Sequence, residues 1–201
     1  MTYEVVVNNS GVIEPQPLNP SEKFLNSENL PISDKTIGDY WQWAFSDLIG
    51  NTERGVIAEY LVAMASGSER PVRNSWEPYD IQSTNGKKIE VKSAAYVQSW
   101  AQSKPSQIRF SIRKTLEWVP EENRFGKDRK RHSDLYVFCV LTEKIKSEVN
   151  PLDIEQWEFY IMSTQLMDKE LADSQSISLA TVLKYSQRYT FKQLNVYLTG
   201  A

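Results

Sequence analysis

The stretch that decides the fold is PYDIQSTNGKKIEVK, residues 78–92. Apolar and polar residues alternate on both sides of residues 84–86, which predicts two strands joined by a tight turn. With a two-residue loop, Asp80 would stand opposite Val91, and both faces of the hairpin would mix apolar with charged groups. With a three-residue loop, Asp80 stands opposite Glu90, and Gln82, Lys88 and Lys92 lie on the same face, while Tyr79, Ile81, Ile89 and Val91 lie on the other. The second register is therefore the prediction.

The charged face of this hairpin brings two carboxylates together. Asp80 and Glu90 would repel each other across the strand pair unless a cation lay between them. Oxygen atoms from both side chains, together with the Val91 carbonyl, suit Mg²⁺, with Mn²⁺ as a substitute. Lys92 follows Glu90 by one pleat on the same face and would reach the water or phosphate beside that metal. A plain solvent-facing strand is the alternative interpretation of the same alternation.

Composition limits the kinds of site that the chain can build. It has 201 residues with one His and one Cys, too few for a structural zinc site or a Cys–His catalytic pair. Cys139 lies in an apolar run and is expected to be buried and inert. The formal net charge of −3 lacks the basic excess that is typical of nucleic-acid-binding proteins.

The chain is long enough for one ordinary domain. Residues 1–35 mix Pro, Asn and Ser and are expected to form an extended arm, with the folded domain over 36–201. No apolar run approaches the length of a membrane span, and the N-terminus lacks a leader pattern. We therefore expect a soluble cytoplasmic protein.

Hydrophobic periodicity along the chain predicts an α/β fold with a mixed β-sheet flanked by helices. An apolar run at 135–142, LYVFCVLT, is typical of a central strand buried on both faces. Amphipathic helices are expected at 36–49, 53–65, 165–171 and 179–185, and a last short segment at 191–198. Further strands are expected at 72–82, 87–98, 107–113 and 157–162.

At this point the residues resemble a known family. Pro78-Tyr79-Asp80, a nine-residue spacer and Glu90-Val91-Lys92 resemble the PD-(D/E)XK signature of the restriction-endonuclease-like nucleases, with Tyr79 inserted before the aspartate. Glu59, in GVIAEYLVA, matches the acidic residue that a preceding helix commonly supplies in that superfamily. The run SDLYVFCVL also resembles the family's buried strand after the motif.

The resemblance implies a restriction-endonuclease-like fold and Mg²⁺-dependent hydrolysis of phosphodiester bonds in DNA. It implies Asp80 and Glu90 as metal ligands, Lys92 as the catalytic lysine, and Glu59 as an auxiliary ligand or base. Many members of the superfamily that cut both strands are dimers, so a homodimer is expected, and a recruiting protein partner stays open. Restriction, defence and repair nucleases all fit. A noncatalytic nucleic-acid-binding or scaffold protein that keeps the fold, or an interaction domain with an accidental signature, is the alternative.

Basic and aromatic residues elsewhere are candidates for contact with nucleic acid. A cluster before the predicted buried strand could hold backbone phosphates, although most charge runs of this kind are solvated loops. Its members are Arg124, Lys127, Arg129, Lys130 and Arg131, and Arg109, Arg113 and Gln98 are further candidates. Three tryptophans could stack on unpaired bases, but we assign them first to packing: Trp76, Trp100 and Trp118.

Overall fold

The chain contains both helices and strands in a computed structural model that describes residues 5–9, 11, 13–119 and 123–200. Its helices are α1 (Ile37–Phe45), α2 (Asn51–Ser66), α3 (Thr164–Glu170), α4 (Leu179–Tyr185) and α5 (Phe191–Thr199). Its first strands are β1 (Val6–Val7), β2 (Ile13–Glu14), β3 (Lys23–Leu25), β4 (Pro31–Thr36), β5 (Ile81–Gln82) and β6 (Lys88–Ala95). The later strands are β7 (Arg109–Ser111), β8 (Trp118–Val119), β9 (Arg124–Phe125), β10 (Leu135–Leu141), β11 (Trp157–Ser163), β12 (Ser176–Ser178) and β13 (Arg188–Tyr189).

A five-stranded mixed sheet forms the centre of the protein, in the order β13-β11-β10-β6-β5. Strand β10 runs parallel to β6 and antiparallel to β11, and β5 and β13 complete the two edges as antiparallel strands. The prediction of a mixed α/β fold is confirmed. The predicted central strand is also confirmed, because β10 is buried along nearly its whole length and pairs on both sides.

Side chains on alternate residues of β10 enter two separate apolar layers. Val137, Cys139 and Leu141 pack on the first face of the sheet with residues of α2 and α5. Phe138 points to the second face, where residues of β7, β12, α3 and α4 cover it. Cys139 is fully buried as predicted, and burial raises the pKa of its thiol.

Helix α2 carries one side of the candidate site and begins and ends at glycines. Gly50 precedes it, and Gly67 ends it in the left-handed conformation with φ +66°, where a side chain would be strained. The predicted helix over 53–65 is confirmed, with a start two residues earlier. Helix α4 has the predicted bounds.

Two predicted strands differ from the structure. Only Ile81–Gln82 of the stretch 72–82 is a strand, because Pro78 cannot donate to a ladder and the preceding residues form a loop. Strand β7 is shorter than the predicted 107–113, and it pairs with β12 in a separate two-stranded sheet. Its apolar residue Phe110 packs against the second face of the central sheet instead of extending its edge.

The N-terminal residues are more structured than the expected extended arm. Strands β1 and β2 pair as one small hairpin, and β3 and β4 pair as another that leads into α1. Helix α1 ends at Phe45, short of the predicted 49, and its apolar side is not buried: Trp43 is 85% exposed. None of the described helices combines the length and apolar character that crossing a bilayer requires.

Candidate active site

The hairpin between β5 and β6 sets the geometry of the site. Ile81 stands opposite Ile89, and the Asp80 amide donates to the Ile89 carbonyl at 3.1 Å. Gly86, the last loop residue, has φ +80°, a left-handed conformation that favours glycine. The three-residue-loop register is therefore confirmed, and it brings Asp80 beside Glu90.

Asp80 is the most perturbed carboxylate in the site. Its Oδ2 atom accepts a hydrogen bond from the Val91 amide at 2.7 Å, which fixes the side chain along the edge of the sheet. Burial, followed by the charges of Glu90 and Glu59, raises the pKa of Asp80 from 3.8 to about 7. The Val91 amide and the Lys92 charge oppose that shift without cancelling it. The three carboxylates thus repel one another in a partly dry environment.

Glu90 and Lys92 project from the same face of β6 and form an ion pair between Oε1 and Nζ. Both side chains are partly exposed, with 19% and 29% of their surfaces accessible. In the register with β10, Glu90 lies beside Tyr136 and Lys92 beside Phe138. Glu90 and Lys92 therefore lie on the second face of the sheet, at the edge of its apolar layer, where solvent reaches them.

Glu59 approaches Asp80 from the other side of the sheet edge, because α2 packs on the first face. Both Glu59 oxygens are held by Arg73: the Arg73 Nη2 atom lies 3.0 Å from Oε1, and Nε donates to Oε2. This two-pronged contact raises the pKa of Arg73. Arg73 could not be predicted as a site residue, because it lies in an irregular loop where no periodic pattern marks it.

The donor atoms at the sheet edge suit a hard cation. In a strand, the amide and the carbonyl of one residue point to the same side, and those of the next residue point to the other side. The Val91 amide donates a hydrogen bond to Asp80, so the Val91 carbonyl faces the same edge of the sheet. Two carboxylates and one carbonyl leave positions for water, a donor set that suits Mg²⁺. Among the described residues, no three His, Cys, Asp or Glu side chains stand together as a preassembled metal cluster. Both oxygens of Glu59 are held by Arg73, so Glu59 lies beside Asp80 and Glu90 without offering a free oxygen for a metal ion.

A groove of about 290 Å³ opens over this pair of carboxylates. One wall is the loop before β5, and the other belongs to the β8–β9 hairpin and the segment that precedes it. The lining residues include Asp80, Glu90, Tyr79, Trp76, Trp118 and Phe125. A Lys88 ammonium lies 5.0 Å from the centre of the Tyr79 ring at the end of the same strand face. The groove thus joins acidic and aromatic groups, with the Lys88 ammonium beside it.

Most of the predicted basic cluster is exposed, but Arg131 is a correction. Arg124, Lys127, Arg129 and Lys130 are exposed. The Arg131 side chain has no accessible surface: it pairs with Asp168 and donates to the backbone carbonyls of Ile112 and Leu171. Arg131 therefore ties β7 to α3, and its predicted contact with a phosphate does not fit this placement.

Gln98 is a second correction, because its side chain is buried instead of lining the groove. Its Nε2 atom donates to the Ala95 carbonyl at 2.9 Å, and its Oε1 accepts from buried Arg54 at 3.3 Å. Arg109 and Arg113 are exposed, and Arg109 donates to the Ser176 hydroxyl at 2.8 Å. These two arginines keep the surface position that contact with nucleic acid requires.

Comparisons with known proteins give little beyond this geometry. No family model and no curated protein matches the chain. Among solved structures it is similar to the bacterial homing endonuclease I-Ssp6803I, with a TM-score of 0.37 and 18% identity, covering 67% of this chain and 87% of that one. A likeness of this degree does not define an activity, which must be inferred from the side chains of the site.

Proposed function

We propose that this protein is a Mg²⁺-dependent nuclease with a restriction-endonuclease-like fold that hydrolyses phosphodiester bonds in DNA. One observation carries the proposal: Asp80 and Glu90 line the same groove beside the β5–β6 hairpin, and Lys92 lies one pleat beyond Glu90 on the same face of β6. Burial, followed by the charges of Glu90 and Glu59, raises the pKa of Asp80 to about 7, and a divalent cation between the two carboxylates would reduce the cost of ionising it. A purely structural hairpin would gain nothing from that arrangement.

Asp80, Glu90 and the Val91 carbonyl would hold the metal ion. When bound, Mg²⁺ or Mn²⁺ supplies a lowered pKa for the attacking water and partial neutralisation of the phosphoryl oxygens. The Val91 amide keeps Asp80 in place through the 2.7 Å hydrogen bond, so the carboxylate is oriented before any ligand arrives. Such preorganisation is what a catalytic constellation requires.

Lys92 would stabilise the charge that develops on the phosphate. Its ammonium pairs with Glu90 and remains partly exposed, so it can exchange that partner for a phosphoryl oxygen without moving the strand. A lysine acts on phosphate as a compact point charge with three donors. The reaction then uses Lys92 for charge stabilisation and orientation of the water, while the carboxylates bind the cation.

Glu59 and Arg73 would set the charge balance around Asp80. Because Arg73 holds both oxygens of Glu59, we assign this glutamate an auxiliary role beside the metal ligands. The Glu59 charge still contributes to the raised pKa of Asp80. The two residues therefore tune how readily Asp80 ionises and accepts a cation.

Exposed cations elsewhere on the protein surface would hold the DNA backbone. The candidates are Arg109, Arg113, Arg124, Lys127, Arg129 and Lys130. Each phosphate contact releases counterions, so DNA affinity should fall as salt concentration rises. Cutting both strands of a duplex at one place would require two copies of the site, which a homodimer supplies.

Cleavage of plasmid and labelled oligonucleotides tests this function. The assay compares wild type with Lys92→Met, in Mg²⁺ or Mn²⁺ and in EDTA, with Lys87→Met as the control for an exposed lysine of the same hairpin. Wild type and Lys87→Met should cut only with metal, and Lys92→Met should be slower by about 100-fold or more. Cutting in EDTA, or full activity of Lys92→Met, would contradict the mechanism.

A further inference from the structure

Three aromatic side chains form the walls of the groove above the carboxylate pair. The ring centres of Trp76 and Trp118 are 6.5 Å apart, and those of Trp118 and Phe125 are 5.1 Å apart. Trp76 is nevertheless 69% exposed and Phe125 58% exposed. A contiguous group of large rings left open to water is a mark of a binding surface.

The aromatic walls and the candidate metal ligands belong to the same groove. Trp76 stands only four residues before Asp80, on the loop that leads into the hairpin, and both line the cavity. Trp118 and Phe125 face them from paired positions of β8 and β9. Any molecule whose phosphate reaches Asp80 and Glu90 therefore lies against these rings.

We propose that the groove receives an unpaired base, so that the substrate is single-stranded or locally unpaired nucleic acid. This inference rests on the proposed nuclease function, whose substrate class it names. A base inside a duplex is already stacked on both faces, whereas an unpaired base offers a flat π-face to an aromatic side chain. Trp76 and Phe125 are the rings with enough exposed surface to accept it.

The charged residues that line the groove are the carboxylates Glu77, Asp80 and Glu90, and the positive charge that a phosphate needs comes from lysines beside it. Lys88 and Lys92 lie on the same strand face as Glu90, so cations flank the place where a phosphate would sit. The aromatic rings line the same groove as Asp80 and Glu90 instead of forming an isolated apolar patch. Flat rings beside a phosphate site match the alternation of base and phosphate in a single strand.

Binding of short fluorescent oligonucleotides tests the proposal without relying on cleavage. All proteins carry Lys92→Met to suppress cutting, and the probes are a single strand, the same strand with abasic sites, and the matching duplex. Trp76→Ala should weaken binding of the single strand by about 5- to 150-fold, which is the effect of one base–aromatic stack. Binding of the abasic strand should change little, because its charge is the same but the base is missing.

Matched variants separate stacking from a loss of folding. Trp76→Phe should restore most of the affinity, and Phe125→Ala tests the opposite wall. Trp43→Ala removes a tryptophan that is 85% exposed on α1 and should leave single-strand binding unchanged. The slope of affinity against salt should be the same in Trp76→Ala as in its parent, since no charge is removed.

Unchanged single-strand affinity in both Trp76→Ala and Phe125→Ala would overturn the proposal, as would an equal loss with the abasic strand. If base-dependent binding holds but no substrate is cut with any metal, the nuclease function fails and the base site stands. If duplex DNA is cut while both aromatic variants keep full affinity, the nuclease stands and the base site fails.

Discussion

Replacing Asp80 with Asn should stabilise the metal-free protein, and the gain should depend on pH. The pKa of Asp80 rises from 3.8 to about 7 through burial and through the charges of Glu90 and Glu59. Well below pH 3.8 the carboxyl is protonated in the folded and unfolded chains alike, so it costs nothing. Between pH 4 and pH 7 the unfolded chain ionises first, which lowers the free energy of unfolding. Above pH 7 the cost is complete.

The cost follows from the two pKa values of Asp80. The difference between 3.8 and about 7, at about 1.36 kcal/mol per pH unit, amounts to about 4 kcal/mol. Asparagine keeps an oxygen for the Val91 amide, but a neutral acceptor forms a weaker hydrogen bond by about 1 kcal/mol. Asp80→Asn should therefore raise the free energy of unfolding by about 2–3 kcal/mol at pH 8 and leave it nearly unchanged at pH 4.

Urea denaturation in EDTA at both pH values measures this difference. Asp34→Asn, which removes a fully exposed carboxylate, is the control and should shift stability only slightly at either pH. If Asp80→Asn is no more stable than wild type at pH 8, ionisation of Asp80 is not unfavourable in the folded protein and the reasoning about this carboxylate is refuted. A gain of equal size at both pH values would show that ionisation is not its cause.

The same site makes three further predictions. Glu90→Ala should abolish cleavage while metal-free stability holds or rises, and a large loss in urea denaturation would instead indicate a structural role. Gly86→Ala should lower the free energy of unfolding by about 1 kcal/mol, because φ is +80° there; an added Cβ meets no atom within 4 Å. Gly55→Ala inside α2 should instead raise the free energy of unfolding by about 0.5–1 kcal/mol. Equal effects of the two variants in urea denaturation would contradict the left-handed turn. Arg73→Met and Glu59→Gln should show a coupling of about 0.5–1 kcal/mol in a double-mutant cycle, and additive effects would mean that their contact contributes nothing.

The parts of the fold that follow from local rules could be predicted from the sequence. The hairpin register follows from the two-residue period of a strand and from Gly86, because any slip would move charged groups into the core. Strand β10 is recognisable because a strand with neighbours on both sides and cover on both faces must be apolar throughout. Both features position Asp80 beside Glu90, so the geometry of the candidate site could be predicted from the sequence.

The parts that depend on distant partners could not be predicted. Arg131 looks like any member of a basic cluster until folding brings Asp168 and two carbonyls around it. Arg73 likewise becomes a site residue only because it contacts Glu59, which lies fourteen residues earlier in the chain. Strand β7 alternates as a sheet strand should, but alternation does not tell which strand it pairs with.

Binding of Mn²⁺ to the protein, followed by electron paramagnetic resonance, tests the central claim that the paired carboxylates form a divalent-cation site. Wild type and the exposed-carboxylate control Asp34→Asn should remove Mn²⁺ from the free signal equally. Asp80→Asn and Glu90→Ala should each lose that binding while remaining folded. If wild type binds no Mn²⁺, or if both variants bind it as well as wild type does, the paired carboxylates are not a metal site and the proposed nuclease mechanism is wrong.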